Sequence, residues 1–102
     1  MPDEKPLFIA LRAVHFEEFA AGTKTEEYRK IGGPWNARTC RVGRAVVLSR
    51  GYGKHARLRG VVTGYREGLP LDLAAFHGIY GPDAGNNAAC IAIKTLGEVF
   101  CG

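Results

Sequence analysis

The sequence has no acidic residue between Glu27 and Glu67, although the 102-residue chain contains ten Asp and Glu residues. Ten of its fourteen Lys and Arg residues fall inside this acid-free window. The net charge of +4 is therefore concentrated in the middle of the chain, where it attracts polyanions by neutralising phosphates. Most of these cations are Arg, whose planar guanidinium suits phosphates and base edges. The window predicts a basic surface for a polyanion, and a solvated basic face without a partner is the alternative.

Paired cysteine motifs and long apolar runs are also missing. Cys40, Cys90 and Cys101 are odd in number and widely spaced, with no histidine at ligand spacing, so we expect reduced thiols and no metal site. The apolar run from Leu7 to Leu11 ends at Arg12 and is too short for a signal sequence or a membrane span. These absences predict a cytoplasmic protein without a cofactor and without a membrane partner.

The composition is that of an ordinary globular protein, with 46% hydrophobic and 24% charged residues. A chain of this length forms one domain by size and buries about two thirds of the surface that its unfolded form exposes. We therefore expect one domain over residues 1–102, with one core and no obligate protein partner.

Hydrophobic spacing gives a coarse order of elements. The sequence predicts strands at residues 6–11, 25–30, 44–50, 56–65 and 90–96, helices at 13–21 and from 71, and a surface loop at 31–41. Residues 51–55 would join two of the strands as a hairpin. Five or six strands and two short helices indicate an α+β domain around a closed or nearly closed sheet.

One predicted strand carries charges on both faces. Gly22, Lys24, Glu27 and Arg29 form the pattern G-x-K-x-x-E-x-R after a short helix and at the start of this strand. The arrangement resembles the ASCH domain, a relative of the PUA-like RNA-binding fold. The resemblance implies a small β-barrel with a cleft beside the motif, whose proposed ligand is RNA or a modified nucleoside. The segments at 6–12, 41–48 and 56–65 also resemble strands of that family.

The family resemblance suggests a catalytic alternative. One branch of the family hydrolyses the acetyl amide of N4-acetylcytidine with a Lys, a Thr three positions later and a more distant Glu. In this sequence Lys24 is present, Glu27 occupies the position of that Thr, and Thr25 follows Lys24 directly. A second departure is Arg44, where many relatives carry an acidic residue. An amidohydrolase or ribonuclease would therefore rely on Lys24 and Glu27, with Thr25 as a candidate nucleophile.

Residue chemistry supports the same site independently of the family. Glu27 and Arg29 are two apart on a strand, so they project to one face and can form an ion pair. In a cleft, Arg29 would donate to a phosphate or carbonyl, while Glu27 would accept from an amino group on a base edge. A structural ion pair between strand and loop is the alternative.

A second group of candidate RNA-binding residues lies in and around the predicted hairpin. Aromatic rings stack on unpaired bases while cations follow the backbone, a combination suited to single-stranded RNA. The hairpin candidates are Arg50, Tyr52, Lys54, Arg57 and Arg59. Trp35, in the preceding loop, is a further candidate for stacking, with burial as its alternative explanation.

The sequence thus predicts an ASCH-like domain that binds single-stranded RNA, a nucleotide or a modified nucleoside in a basic cleft around Lys24, Glu27 and Arg29. A small hydrolase acting on the same class of ligand is the first alternative. A protein-interaction module whose basic face meets an acidic partner is the second.

Overall fold

The computed structural model describes residues 4–101, so residues 1–3 and 102 of the predicted domain lie outside the described residues. The strands are β1 (Leu7–Leu11), β2 (Glu26–Arg29), β3 (Ala45–Arg50), β4 (Arg57–Gly68) and β5 (Ala88–Phe100). The helices are α1 (Ala13–Ala21) and α2 (Leu73–Tyr80), and a 3₁₀ turn (Pro82–Ala84) follows α2. The α+β class, with five strands and two short helices, is confirmed.

The five strands form one mixed sheet in the order β1-β3-β4-β5-β2. β1 is parallel to β3, and every other neighbouring pair is antiparallel. β3 and β4 form the predicted hairpin. Within residues 4–101 the two outermost strands, β1 and β2, do not pair with each other, so the sheet is not closed into a barrel. The expected barrel is therefore not confirmed.

One face of the sheet carries the main core. Alternate residues of β1 point into it, and Phe16 and Phe19 of α1 pack against them, because the apolar positions of α1 share one helical face. α1 ends at Gly22, as the sequence predicts. With φ at 80°, Gly22 adopts the left-handed conformation and its N–H bonds carbonyls of the last turn. From the strands, this core takes Leu7, Ile9, Leu11, Val46, Leu48, Leu58, Val62, Ile91 and Ile93.

The opposite face of the sheet is covered at one end only. Phe76 of α2 packs with Tyr28, Ala88 and Cys90 in a second, smaller cluster. The Asp72 side chain caps α2 by accepting from the N–H of Ala75. α2 thus covers the end of the face formed by β2 and the start of β5. At the other end of this face, Phe8 of β1 and Arg59 of β4 are exposed, whereas Ser49 of β3 is buried.

Two strands are longer than their sequences indicate. β4 was expected to end at residue 65 and β5 to begin at residue 90, but β4 continues to Gly68 and β5 starts at Ala88. These extra residues pair with each other, in a register that runs from Arg57 opposite Phe100 to Gly68 opposite Ala88. Two irregularities interrupt that register, so the exposed ends of both strands lack a clean alternation of apolar and polar residues. β2 is one residue shorter at each end than predicted.

The three cysteines are free, with Cys40 and Cys90 buried and Cys101 exposed. Among residues 4–101, neither helix has the length and apolar character needed to cross a membrane.

Candidate functional site

The candidate site is built on β2, where Glu27 and Arg29 face the same side. The Nε atom of Arg29 donates to Oε2 of Glu27 over 2.9 Å. The Glu27 side chain is only 4% exposed, and that of Arg29 is 20% exposed. The predicted ion pair is therefore present, and it is much more buried than a strand with two polar faces implies. Each group depends on the other, because a buried carboxylate that loses its cation becomes an uncompensated charge.

Two further contacts hold the Arg29 guanidinium in place. Its Nη2 atom donates to the backbone carbonyl of Ala10 on β1 over 2.7 Å. Its Cζ atom lies 4.9 Å from the centre of the Trp35 ring. Because Glu27, Ala10 and Trp35 come from three segments of the chain, the guanidinium is fixed before any ligand arrives. It also spans the seam between β1 and β2, the two edge strands of the sheet, which do not pair with each other within residues 4–101.

A cleft of about 150 Å³ opens at this seam. Its walls come from β1, β2 and the two helices, and it is lined by Ala10, Leu11, Arg12, His15, Glu27, Arg29, Ile79 and Tyr80. Burial raises the pKa of the Tyr80 phenol, while the charge of Arg29 acts in the opposite direction. The phenol is thus neutral at physiological pH and can donate a hydrogen bond. The cleft combines a carboxylate, a guanidinium and an aromatic ring in a small volume.

Glu26, the residue before Glu27, faces the other side of β2. It is 8% exposed, and its Oε1 atom accepts from Nη2 of Arg66 on β4 over 3.0 Å. The adjacent Tyr28 is buried against Phe76, and its hydroxyl accepts from the N–H of Asp72. The charged strand is thus buried on both faces, with one arginine for each carboxylate. The sequence expectation of two polar faces is corrected in this respect.

Lys24 and Thr25 line different clefts from Glu27. Both border one cleft of about 330 Å³ with Phe19 and Thr63, and another of about 190 Å³ with Glu26 and Asp72. Neither of these two clefts is lined by Glu27 or Arg29, and the seam cleft is not lined by Lys24 or Thr25.

The Nζ atom of Lys24 has its own aromatic neighbours. It lies 4.7 Å from the centre of the Tyr28 ring and 5.9 Å from that of Phe19. The three candidate catalytic residues, Lys24, Thr25 and Glu27, are therefore close in sequence but do not share one of these clefts.

The candidate residues of the hairpin are divided between the two sides of the sheet. The Nε atom of Arg50 lies 3.4 Å from Oε1 of Glu17 on α1, on the side of the sheet that α1 covers. Arg57 and Arg59 lie on the opposite, exposed face, where each guanidinium stacks on an aromatic ring. Tyr52 is 86% exposed, and its ring is 6.3 Å from that of Phe8. Lys54 is exposed in the connecting loop.

Half of the cations in the acid-free window form ion pairs with glutamates, and Arg41 and Arg44 share Glu4. Within residues 4–101, ion pairs with a glutamate involve Arg29, Arg41, Arg44, Arg50 and Arg66. Arg44 also donates to the carbonyls of Thr39 and Lys5, which ties the surface loop to the start of the chain. The cations of the window that form no such pair with any described residue are Lys30, Arg38, Lys54, Arg57 and Arg59. The free positive charge of the window is therefore smaller than its composition indicates.

Several site residues could not be identified from the sequence. Tyr80 lies on the helix predicted from residue 71, but nothing in the sequence places that helix beside β1 and β2. The carbonyl of Ala10 has no sequence signal. Phe8 was not identified because it lies in an apolar run that predicts a buried strand. Phe100 was not identified because it lies beyond the end of the predicted last strand. Among residues 4–101 there is no cluster of three or more His, Cys, Asp or Glu residues that could hold a metal ion.

Comparison with protein-family models gives no match, and comparisons with curated proteins and with solved structures give none either. The geometry of the site and the motif in the sequence are therefore the observations that bear on function.

Proposed function

We propose that this protein is an ASCH-like, PUA-related RNA-binding protein of the cytoplasm, which holds one base of RNA, or a free modified nucleoside, in the seam cleft. The observation that carries the proposal is the fixed pair of Glu27 and Arg29 in that cleft. The motif Gly22, Lys24, Glu27 and Arg29 and the order of the first strands support the family. The family's barrel would correspond here to the five-stranded sheet whose seam Arg29 spans.

Arg29 and Glu27 retain hydrogen-bonding capacity for a ligand. A guanidinium has five N–H donors. Glu27 and the carbonyl of Ala10 accept one hydrogen bond each, and the Tyr80 hydroxyl lies within hydrogen-bonding reach of the guanidinium, which leaves at least two donors. Arg29 bonds Oε2 of Glu27, and within residues 4–101 no side chain or backbone group donates to Oε1. The cleft therefore presents an acceptor beside several donors.

This order of groups matches an amino base better than uracil. Cytosine carries an amino donor next to a ring nitrogen and a carbonyl oxygen that both accept. Its amino group would donate to Glu27, while its acceptors would meet the free donors of Arg29. Uracil presents a carbonyl oxygen in place of the amino group, and that oxygen would face the carboxylate. The proposal thus includes a preference for cytosine or another base with an exocyclic amino group.

The size of the cleft limits the ligand. Sites for drug-sized molecules occupy about 300–1,000 Å³, whereas the seam cleft has about 150 Å³. One base fits this description, and the sugar and phosphate would remain outside. Arg12, which lines the cleft and is exposed, lies where it can meet that phosphate.

Calorimetric titration with cytidine and uridine monophosphates tests the proposal. The protein should bind the cytidine nucleotide more tightly, and Glu27→Gln should reduce that preference about tenfold, because the amide offers a donor as well as an acceptor. Lys24→Gln serves as the matched control, since Lys24 lines other clefts, and it should leave the preference unchanged. Equal affinity for the two nucleotides, or loss of the preference in Lys24→Gln alone, would contradict the proposal.

A further inference from the structure

The face of the sheet opposite α1 has a regular arrangement of side chains at the end that α2 does not cover. Neighbouring positions across the strands run from Phe8 on β1 through Val47 on β3 and Arg59 on β4 to Leu96 on β5. The next row contains Ser49, Arg57 and Phe100. We call the side chains of Phe8, Tyr52, Arg57, Arg59 and Phe100 the outer platform. It lies on the face opposite α1 and away from α2.

Arginines and aromatic rings alternate on the outer platform. The Cζ atom of Arg57 is 5.3 Å from the centre of the Phe8 ring, and that of Arg59 is 4.2 Å from the centre of the Phe100 ring. Phe8 is 41% exposed although it lies within a strand. Tyr52, at the tip of the hairpin, extends the same surface beyond Phe8. Exposed rings of this kind offer faces on which planar groups can stack.

No acidic side chain among residues 4–101 forms an ion pair with the arginines of the outer platform. Among the described residues, six ion pairs are present, and none of them involves Arg57 or Arg59. The Nε atom of Arg57 is buried without a hydrogen-bond acceptor. Glu98, on the irregular part of β5 between Leu96 and Phe100, pairs with neither arginine. An occupant of this face must therefore bring negative charge as well as apolar surface.

We infer that the outer platform is a second binding surface, which takes single-stranded RNA. Unpaired bases would stack on Phe8, Tyr52 and Phe100, while Arg57 and Arg59 contact the phosphates. An apolar protein partner would bury both arginines without acceptors, and a duplex keeps its base faces stacked internally. A common RNA-binding module stacks about two or three bases on the aromatic residues of a four-stranded sheet. Here the exposed face spans β1, β3, β4 and β5.

The inference deepens the proposed function and rests on it for the identity of the polymer as RNA. The two sites nevertheless differ in what they read. The seam cleft reads the edge of one base, whereas the outer platform contacts base faces and phosphates and tolerates any sequence. A uridine oligonucleotide therefore tests the outer platform without the base preference of the cleft.

The experiment is a fluorescence anisotropy titration with a 5′-labelled twelve-nucleotide uridine RNA at several salt concentrations. The protein should bind it with a clear salt dependence. Tyr52→Ala should weaken binding about tenfold, because one stacking contact is lost. Tyr52 is almost fully exposed, so this change does not disturb the core. Arg59→Gln should reduce the slope of log affinity against log salt by about 0.7, the value for one phosphate contact on a single strand.

Arg38→Gln is the matched control, because it removes the same charge from an exposed loop outside the sheet. It should leave the salt slope unchanged. A polyglutamate chain separates stacking from simple charge attraction, and it should compete weakly with the RNA. Absence of RNA binding at low salt, equal effects of Arg38→Gln and Arg59→Gln, or competition by polyglutamate as strong as by unlabelled RNA would overturn the inference.

The nucleotide and RNA titrations together distinguish an incorrect assignment of the outer platform from an incorrect assignment of the seam cleft. If only the outer platform is wrong, cytidine nucleotide still binds with its preference while the uridine RNA is unaffected by Tyr52→Ala. If only the cleft is wrong, the uridine RNA binds and responds to Tyr52→Ala, while Glu27→Gln has no effect on any nucleotide.

Discussion

Arg29 joins the two outermost strands of the sheet. Its guanidinium donates to Glu27 on its own strand, β2, and to the carbonyl of Ala10 on β1. A side chain thus makes the connection across the seam that backbone hydrogen bonds would make in a closed barrel. Trp35 covers the same guanidinium from the surface loop. The residue that would contact a ligand therefore also holds the fold together.

This double role predicts a large loss of stability when Arg29 alone is removed. Arg29→Met leaves the Glu27 carboxylate buried without its cation and should cost about 3–5 kcal/mol of unfolding free energy. The double variant Arg29→Met with Glu27→Leu should recover much of that loss, because no charge is then left unpaired. Urea unfolding of the two single variants and the double variant measures the coupling. A double variant no more stable than Arg29→Met would show that the unpaired Glu27 carboxylate does not cause the loss of stability.

Gly60 and Gly64 of β4 should differ in how well each tolerates substitution by alanine. A Cβ atom at Gly60 would lie 2.9 Å from Cγ2 of Ile93 and 3.0 Å from the backbone carbonyl oxygen of Lys94, whereas one at Gly64 would lie 3.6 Å from Cβ of Ala92. Gly60→Ala should therefore destabilise the protein by about 1–3 kcal/mol through overcrowding. Gly64→Ala should be neutral or slightly stabilising, since alanine loses less backbone freedom on folding. Thermal unfolding of both variants checks the contrast, and equal melting temperatures would contradict it.

Buried tyrosines predict a loss of stability at alkaline pH. Burial raises the pKa of Tyr28 from its usual 10 to about 12, and burial also raises the pKa values of Tyr65 and Tyr80. Between pH 10 and 12 the folded protein keeps the Tyr28 proton while the unfolded chain releases it, and the raised pKa values of Tyr65 and Tyr80 act in the same direction. By linkage, the stability present below pH 10 falls as the pH rises through this window.

Tyr28→Phe isolates one of these groups. The variant loses the hydrogen bond from Asp72 and should be about 1 kcal/mol less stable at neutral pH. Its stability should nevertheless fall less steeply between pH 10 and 12, because one fewer proton is released on unfolding. Denaturant midpoints across this range give the slope. An identical slope in both proteins would mean that Tyr28 does not titrate differently in the folded and unfolded states.

The sequence was sufficient for elements whose burial is decided locally. β1 and α1 follow from apolar spacing and from the glycine that ends the helix. The ion pair of Glu27 and Arg29 follows from their separation by two on a strand. The burial of Glu26 does not, because it depends on Arg66, forty positions away, and on the helix that covers this face.

Contacts between residues that only strand register brings together could not be predicted from the sequence. Arg57 and Arg59 were recognised as cations near aromatic residues, but their neighbours Phe8 and Phe100 come from opposite ends of the chain. The same register takes Arg50 to the other side of the sheet, although it is close to Arg57 in sequence. Lys24 was grouped with Glu27 by motif spacing, and the turn before β2 places it in other clefts.

The most direct test of the central claim is an NMR titration that follows the side-chain Nε–H of Arg29 while cytidine monophosphate is added. Because the base would bond the free donors of Arg29, this resonance should shift in a saturable manner, together with backbone signals of Ala10 and Tyr80. Uridine monophosphate should produce smaller shifts at the same concentrations. Shifts confined to Lys24 and Thr25, with Arg29 unchanged, would contradict the assignment of the seam cleft as the nucleotide site.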